Sequence, residues 1–368
     1  MFVPPPQLDK SRPLVLSKNV VRPTEEDGKA PALENLHWED VAQEFKAEGE
    51  DWYAIYNPHV RRELDVKPLH TLQHESVVCI VGFSKDGTRI VTGSHRSVDV
   101  FDAQTGRRLF ALVDDTPDDT DTPGDNYMLA VCFSPDGTLV AAGGDDRKIR
   151  GHTQEIYSIA FAPDGTYVAS GSGDNTVLIW EVGSPRLPPL QAGHESLPPS
   201  GVSDSRCLNI SPHSTTYPGF PAAVTNMAVS PDSRLVTCGC LDSAVYIWDV
   251  RNGNMVRRLS GHTDGVYSVV FVPDGGALDY VLTVATSPDG KWVLSGSKDC
   301  SVHFWDAHSG PTQLMLQGHL NSVISVHMCT LPGGAPGQGL LATGSGDRTA
   351  RVWRYRPHDG AEELVGSA

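Results

Sequence analysis

The sequence lacks an apolar run of about 18 residues and a signal-peptide pattern, so it gives no indication of a membrane or secreted protein. It is also short of basic residues: 29 Lys and Arg stand against 45 Asp and Glu, for a formal net charge of −16. Nucleic-acid binding through counterion release needs a basic surface. The charge balance therefore argues against direct, sequence-specific nucleic-acid binding.

Metal and nucleotide motifs are missing as well. Seven Cys are scattered along the chain, and an odd number without paired spacing predicts reduced thiols in an intracellular protein. His and acidic residues show no metal-ligand spacing. Gly171-Ser172-Gly173 opens no helix, so these are turn glycines rather than a phosphate loop. We therefore expect no metal, no cofactor and no enzymatic active site.

Turn residues are plentiful instead. The chain contains 36 Gly and 27 Pro beside 39% hydrophobic residues, which favours a turn-rich all-β protein over a disordered chain. In 151–181, alternating apolar runs are separated by Pro163-Asp164-Gly165 and Gly173-Asp174-Asn175. Such residues adopt turn conformations that β-branched residues avoid. The stretch therefore predicts three short antiparallel strands.

The same pattern returns along the chain. Copies are visible at 78–95, 128–146, 224–249, 261–276, 281–306 and 318–353. A three-stranded meander cannot bury its apolar faces alone, so the copies must stack on one another. A period of about 40–45 residues with Gly-His in front and Trp-Asp behind is typical of WD-repeat blades. The sequence thus predicts an all-β, WD-repeat β-propeller.

Composition sets the expected domain boundaries. Residues 1–65 form a Pro-rich N-terminal extension, with a short amphipathic helix predicted over 32–47 from Leu33, Leu36, Val41 and Phe45 at helical spacing. The propeller covers 66–356, and 357–368 is a C-terminal tail. Within the propeller, an acidic stretch at 114–126 and a Pro/Ser/Gly-rich stretch at 183–221 are interpreted as loop insertions.

Two repeats are too short to form a blade. Ile149-Arg150 is followed at once by Gly151-His152, and Asp274-Gly275 is followed almost at once by the next first strand. Seven first strands are visible, so we expect the seven-blade family pattern with two blades truncated and five complete. We also expect the natural transcript to encode the missing strands. Because the last repeat has no outer strand of its own, we expect residues 68–73 to supply it.

The stretch that leads into the first repeat, and the last repeat, carry a more specific resemblance. The matching residues before the first repeat are Trp52, Tyr53, Tyr56, Asn57, Pro58, Arg62, Glu63, Asp65 and Val66. They resemble the segment that leads into the propeller of the fungal Tup-type general transcriptional corepressors, and 316–326 with 342–355 resembles the end of that propeller.

That resemblance implies a non-catalytic nuclear scaffold that binds DNA-bound repressors and chromatin components, histone tails among them. It also implies a TPR-repeat corepressor partner, if the N-terminal helix that binds it is present. The fold alone does not specify function. A substrate adaptor of a ubiquitin ligase, or another protein-interaction scaffold, therefore remains the alternative.

Two repeats contain a complete set of residues for a buried hydrogen-bonded chain. The sets are His152, Ser170, Asp174 and Trp180, and His319, Thr343, Asp347 and Trp353. In each, Asp would accept from the imidazole, the imidazole would meet the hydroxyl, and the hydroxyl would meet the indole. A catalytic triad would occur once and would expose its nucleophile. We therefore interpret both sets as structural.

The binding surface is expected at one position of each first strand, four residues before its last apolar residue and near the central channel. These positions hold Cys79, Leu129, Tyr157, Thr225, Tyr267, Leu282 and Ile324. Leu129 and Leu282 could equally be core residues. With the polar neighbours Lys298 and Asn321, the other five form the predicted protein-binding face, which suits an aromatic-anchored peptide interface.

Overall fold

The computed structural model describes residues 41–113, 127–144, 152–182, 223–260, 262, 264–271 and 282–358. One 3-10 helix, Gln43–Phe45, precedes the strands, and no helix in these ranges has the length and apolarity needed to cross a membrane. The strands, in chain order, are β1 (Lys46–Glu48), β2 (Tyr53–Tyr56), β3 (Leu64–Gln73), β4 (Ile80–Phe83), β5 (Arg89–Gly93), β6 (Ser97–Asp102), β7 (Arg108–Val113), β8 (Met128–Phe133), β9 (Val140–Gly144), β10 (Ile156–Phe161), β11 (Tyr167–Ser172), β12 (Val177–Glu181), β13 (Val224–Val229), β14 (Leu235–Cys240), β15 (Ala244–Asp249), β16 (Asn254–Ser260), β17 (Thr283–Thr286), β18 (Trp292–Gly296), β19 (Ser301–Asp306), β20 (Thr312–Gln317), β21 (Val323–Thr330), β22 (Gly339–Ser345) and β23 (Thr349–Pro357).

The strands form six antiparallel sheets, which are the blades of a β-propeller. Blade 1 is β4–β7, blade 2 is β8–β9, blade 3 is β10–β12 and blade 4 is β13–β16. Blade 6 contains β17–β20 and blade 7 contains β21–β23 with β3. Each blade begins with its innermost strand. The first strands of blades 6, 7, 1, 2, 3 and 4 contact one another in that order.

Residues 264–271 occupy the place of blade 5. The Val269 N–H donates to Asn226 Oδ1 of blade 4 at 3.1 Å, and the Val284 N–H of blade 6 donates to Ser268 Oγ at 3.1 Å. The segment forms no strand within its described residues, yet it links blades 4 and 6. The ring therefore closes with seven inner positions.

The same type of hydrogen bond recurs around the ring. In five blades, the side chain of the residue that follows a predicted binding position, such as Ser158 after Tyr157, accepts from a backbone N–H of the next blade. Besides the two bonds just given, Ser158 accepts from Met227, Thr283 from Val326 and Ser325 from Val81, at 3.0–3.1 Å. Ile80 and Ala130 hold this position in blades 1 and 2 and have no acceptor. Those two junctions depend on apolar packing instead.

The N-terminal extension continues blade 6. β2 pairs with β20, with Ile55 opposite Met315, and β1 pairs with β2, so the sheet has six strands. The helix predicted over 32–47 is wrong where it can be checked: 41–47 contains only the 3-10 turn and the start of β1. β2 pairs with the edge of β20, and β2 in turn offers its own free edge to β1, so the segment extends the sheet instead of forming a helix.

The prediction that residues 68–73 complete the last blade is confirmed. β3 pairs antiparallel with β23 along its whole length, with Val66 opposite Tyr355 and Leu72 opposite Ala350. The pairing covers the edge of the last strand and joins the beginning of the propeller to its end. An uncovered edge of this length would be a template for association.

The blades with the fewest described strands are the two that the sequence predicts to be truncated. In the described residues blade 2 has two strands and four blades have four, and the fifth blade expected to be complete is blade 3, whose fourth strand is not tested. Blade 3 has three, and the outer strand suggested at 187–190 lies outside the described ranges. So do both predicted loop insertions, 114–126 and 183–221, and the residues at the two sequence gaps, 145–151 and 272–281.

Candidate functional site

The hydrogen-bonded chain in blade 7 lies entirely in the interior. With the proton on Nδ1, His319 donates to Asp347 Oδ2 at 2.9 Å. Thr343 Oγ1 donates to His319 Nε2 at 2.7 Å, and Trp353 Nε1 donates to Thr343 Oγ1 at 3.2 Å. The chain ties the loop before β21 to the turn between β22 and β23, because His319 belongs to the loop and Asp347 to the turn.

The pKa shifts of His319 and Asp347 favour one protonation state of these hydrogen-bonded residues. Burial lowers the pKa of His319, and the opposing hydrogen bond and charge of Asp347 do not reverse that shift. Burial acts to raise the pKa of Asp347, but hydrogen bonds from His319, the Leu320 N–H and Thr349 outweigh burial and leave the pKa lowered. A neutral imidazole therefore faces a carboxylate near neutral pH, as the donor and acceptor roles require.

Blade 3 repeats the geometry with a serine. His152 Nδ1 lies 2.9 Å from Asp174 Oδ2, Ser170 Oγ lies 2.8 Å from His152 Nε2, and Trp180 Nε1 donates to Ser170 Oγ at 3.0 Å. Ser170, like Thr343 in blade 7, is 0% exposed. A nucleophile must reach its substrate, so neither hydroxyl can act as one, and both sets serve as internal supports.

Other blades contain variants of the chain. In blade 1, His74 Nε2 lies 2.9 Å from Thr92 Oγ1, a contact that the sequence analysis missed because Gln precedes this His and Phe replaces the Trp. In blade 4, the Tyr246 hydroxyl donates to Asp242 Oδ2. In blade 6, Asp299 Oδ2 is buried and has no hydrogen-bond partner within the described part of the chain. The turn aspartate thus meets a histidine, a tyrosine or neither.

The predicted binding positions coincide with β-bulges. The strand register shifts around Leu129, Tyr157, Thr225 and Ile324, each the second position of a first strand. The extra residue of a bulge is left out of the ladder and its side chain is redirected. We call this set, with Cys79, Tyr267 and Leu282 at the same position, the bulge ring.

The members of the bulge ring differ in exposure. Tyr157 is 38% exposed and Tyr267 is 46% exposed. The other five are half-buried. The Thr225 hydroxyl also lies within hydrogen-bond reach of the carbonyls of Gly239 and Val266, so it helps attach blade 5 to blade 4. The two tyrosines are therefore the most accessible anchors in the ring.

The bulge ring lies beside the turns between second and third strands. A Cβ placed on Gly173 would lie 3.3 Å from the ring of Tyr157, and one placed on Gly346 would lie 3.0 Å from the side chain of Asn321. Glycine permits this close approach. The predicted polar neighbours Lys298 and Asn321 are both exposed. The structure therefore brings the predicted tyrosines and polar residues to one face of the propeller.

Two exposed leucines on this face were missed by sequence reasoning. Leu241 is 47% exposed and Leu320 is 42% exposed. Leu241 and Tyr267 flank Gly265, at 2.9 and 3.7 Å from a Cβ placed there. A signal was present: the residue before the turn aspartate is Gly in blades 3 and 7 and Lys in blade 6, but an apolar Leu in blade 4. No cluster of three or more His, Cys, Asp or Glu is placed to hold a metal ion in the described ranges.

Comparison with known proteins identifies the family to which the repeats belong. The model of the WD domain, G-beta repeat, matches seven times, at residues 66–102, 122–150, 147–181, 206–249, 253–278, 276–306 and 310–354. The second and fifth matches are the shortest, in agreement with the truncated blades.

Curated relatives include the transcriptional repressor rco-1 of Neurospora crassa, 39% identical over 88% of this chain and 58% of the relative. The general transcriptional corepressor TUP1 of Saccharomyces cerevisiae is 33% identical over 89% of this chain and 57% of the relative. The protein groucho of Drosophila melanogaster is 24% identical over 78% of this chain and 34% of the relative. The chain thus spans little more than half the length of the first two.

Proposed function

Because the chain belongs to the WD-repeat family and is a WD-repeat protein of the Tup corepressor type, we propose that it acts as a non-catalytic scaffold of transcriptional repression, recruited by DNA-bound repressors. Its relatives named as a transcriptional repressor and a general transcriptional corepressor support this role. A nuclear location follows from the role. Histone tails and a TPR-repeat corepressor are the further partners we propose.

One observation supports the bulge ring as the docking site. Tyr157 and Tyr267 occupy equivalent positions of their repeats and are exposed, although most large apolar side chains of the described first strands are buried or half-buried. Tyrosine is enriched among the residues that dominate binding energies, because its ring supplies apolar area and its hydroxyl a hydrogen bond. Leu241 beside Tyr267 enlarges the apolar surface. Exposed apolar patches with polar rims mark protein-interaction sites.

A tethering experiment tests the function itself. The chain is fused to a heterologous DNA-binding domain and directed to a reporter promoter in cells. We expect reporter expression to fall several-fold relative to the DNA-binding domain alone. Normal expression with the fusion bound at the promoter, verified by chromatin immunoprecipitation, would contradict the corepressor proposal.

A second experiment tests the docking site. Photo-crosslinking residues placed at positions 157 and 267 are expected to capture DNA-binding repressors from nuclear extract. The same residue at position 256 is the control, because Val256 is 57% exposed but lies on β16 at the outer edge of blade 4. Capture of the same repressors from position 256 as from 157 would move the docking site away from the bulge ring.

A further inference from the structure

A cavity opens on the face opposite the bulge ring. The bulge ring lies beside turns between second and third strands, whereas the cavity is lined by the loop between β21 and β22 and by the turn between β6 and β7. In an antiparallel sheet these two kinds of connection lie at opposite ends. The cavity has a volume of about 410 Å³ and lies between blades 7 and 1. Binding pockets for small ligands span roughly 300–1,000 Å³, so its size suits a short peptide segment.

The lining of the cavity combines an apolar floor with polar walls. Leu69, Leu331 and Leu340 supply aliphatic surface. Arg354 and the carboxamides of Gln104 and Gln338 supply hydrogen-bond donors. The remaining lining residues are small or conformationally restricted: Ala103, Pro332, Gly333, Gly334 and Ala335. No carboxylate lines the cavity, although the chain as a whole carries a net charge of −16.

The Arg354 guanidinium has no ion-pair or hydrogen-bond partner in the described ranges. Arg354 stands directly opposite Lys67 across the pairing of β23 with β3, so a second basic side chain lies beside it. In the neighbouring turn, Asp102 Oδ1 already accepts hydrogen bonds from the backbone N–H groups of Gln104 and Thr105, at 3.0 and 2.8 Å. An incoming carboxylate would therefore meet an Arg354 guanidinium that no acceptor in the described ranges occupies.

We propose that this cavity binds an acidic–aliphatic peptide segment of a partner protein. A carboxylate of the segment accepts from Arg354, and a neighbouring aliphatic side chain packs on Leu69, Leu331 and Leu340. The carboxamides of Gln104 and Gln338 bind the peptide backbone. The site is separate from the bulge ring, so it would give the scaffold a second attachment point that does not compete with the first.

The test uses the full chain and a fluorescein-labelled probe, acetyl-Gly-Leu-Glu-Leu-Gly-amide, in fluorescence anisotropy titrations. A matched probe has Gln in place of Glu. Arg354 is exposed, and an exposed ion pair contributes modestly because solvent screens it. We therefore expect saturable binding of the Glu probe and about 2- to 5-fold weaker binding of the Gln probe.

Protein variants locate the binding. The Arg354→Gln variant should bind the Glu probe more weakly than wild type by a similar factor. The Arg354→Lys variant should recover part of the lost affinity. Arg257→Gln is the control, because Arg257 is exposed on β16 and far from the lining residues, so this variant removes the same charge without touching the cavity. Tyr157→Ala and Tyr267→Ala should leave probe binding unchanged. Thermal melts check that each variant is folded.

Three outcomes would overturn the proposal. The first is no saturable binding of the Glu probe at millimolar concentration. The second is equal affinity for the two probes, or for wild type and a folded Arg354→Gln variant. The third is full displacement of the probe by equimolar inorganic phosphate, which would mean that the cavity binds charge alone. None of these results depends on whether repressors dock at the bulge ring.

Discussion

Blades 7 and 6 share a four-stranded core, but only in blade 7 does a histidine contact the turn aspartate. Both pair four strands around a third-strand Trp whose indole donates to a hydroxyl of the second strand, Thr343 in blade 7 and Ser295 in blade 6. In blade 7, His319 joins that hydroxyl to the turn aspartate. In blade 6, the corresponding aspartate, Asp299, has a buried oxygen without a partner in the described part of the chain.

The comparison of blades 7 and 6 distinguishes the interactions that position the third-strand Trp from those that involve the turn aspartate. Strand pairing and apolar packing suffice to position the indole and the hydroxyl, since blade 6 has both. The histidine satisfies the carboxylate and fixes the loop to the turn. A histidine would come from the loop before the first strand, which in blade 6 falls at the second sequence gap. The unpartnered Asp299 oxygen is consistent with strands missing there, and the transcript prediction stays open to sequencing.

The largest expected loss of stability comes from replacing the third-strand Trp residues by Ala. Trp353 is 1% exposed and packs edge-on against Trp52 with ring centroids 6.0 Å apart. Trp353→Ala should lower the free energy of unfolding by about 3–5 kcal/mol through the cavity it leaves. Trp305→Ala should cost less, because Trp305 is only half-buried. Denaturant titrations measure both, and an equal loss would contradict the view that blade 7 depends more on its indole.

The turn aspartates provide a matched pair of smaller changes. Asp347→Asn replaces an acceptor of bonds from His319 and the Leu320 N–H, both at 2.9 Å. It should cost about 1–3 kcal/mol, because buried donors lose their partner. Asp299→Asn should cost little, since one oxygen of Asp299 has no donor to lose. If the two variants lose the same stability by denaturant titration, the orphaned oxygen in blade 6 is satisfied in solution.

Acid should destabilise the protein through its buried histidines. Burial lowers the pKa of His319 from its unfolded value of 6.5, so the unfolded chain binds the proton more readily. The stabilising contribution is therefore complete above pH 6.5 and is lost as the pH falls toward the folded pKa. We expect the free energy of unfolding to fall between pH 7 and 5, and His319→Gln to make that slope shallower.

His303 is the matched control in blade 6, because burial also lowers its pKa. His303→Gln should flatten the slope similarly but cost less stability at pH 7, since one of its ring nitrogens has no partner in the described ranges. Denaturant titrations at several pH values measure both effects. An unchanged slope in His319→Gln would show that this histidine keeps an ordinary pKa in the folded state.

The smallest effect on stability is expected at the bulge ring, outside the buried chains. Tyr157→Ala and Tyr267→Ala should change the free energy of unfolding by less than about 0.5 kcal/mol, as is usual for exposed positions. Each should weaken repressor binding by about 2 kcal/mol, the size of a hot-spot loss. Thermal melts and binding titrations on the same samples separate the two. Parallel losses of stability and binding would mean that the tyrosines belong to the core.

Much of the architecture could be predicted from the sequence, because it depends on patterns of neighbouring residues. Turn residues and alternating apolar runs located the strands, and the spacing of repeats located the truncated blades. The closing strand was also predictable, since the last repeat lacked an outer strand and residues 68–73 had its pattern. The N-terminal extension was not predictable: despite the helical spacing at 41–47, β1 pairs with β2, and β2 pairs with the edge of β20, more than 250 positions away in the sequence.

The sequence by itself determined the fold class, the seven inner positions of the ring and the membership of the two complete hydrogen-bonded sets. Tertiary structure alone decided which side chains are exposed on the docking face. The reason is that a β-bulge and a glycine contact depend on the register between strands, which the alternation of residues does not specify. The cavity beside Arg354 is decided in the same way, because its walls come from two blades that the sequence places at opposite ends of the chain and ring closure brings together.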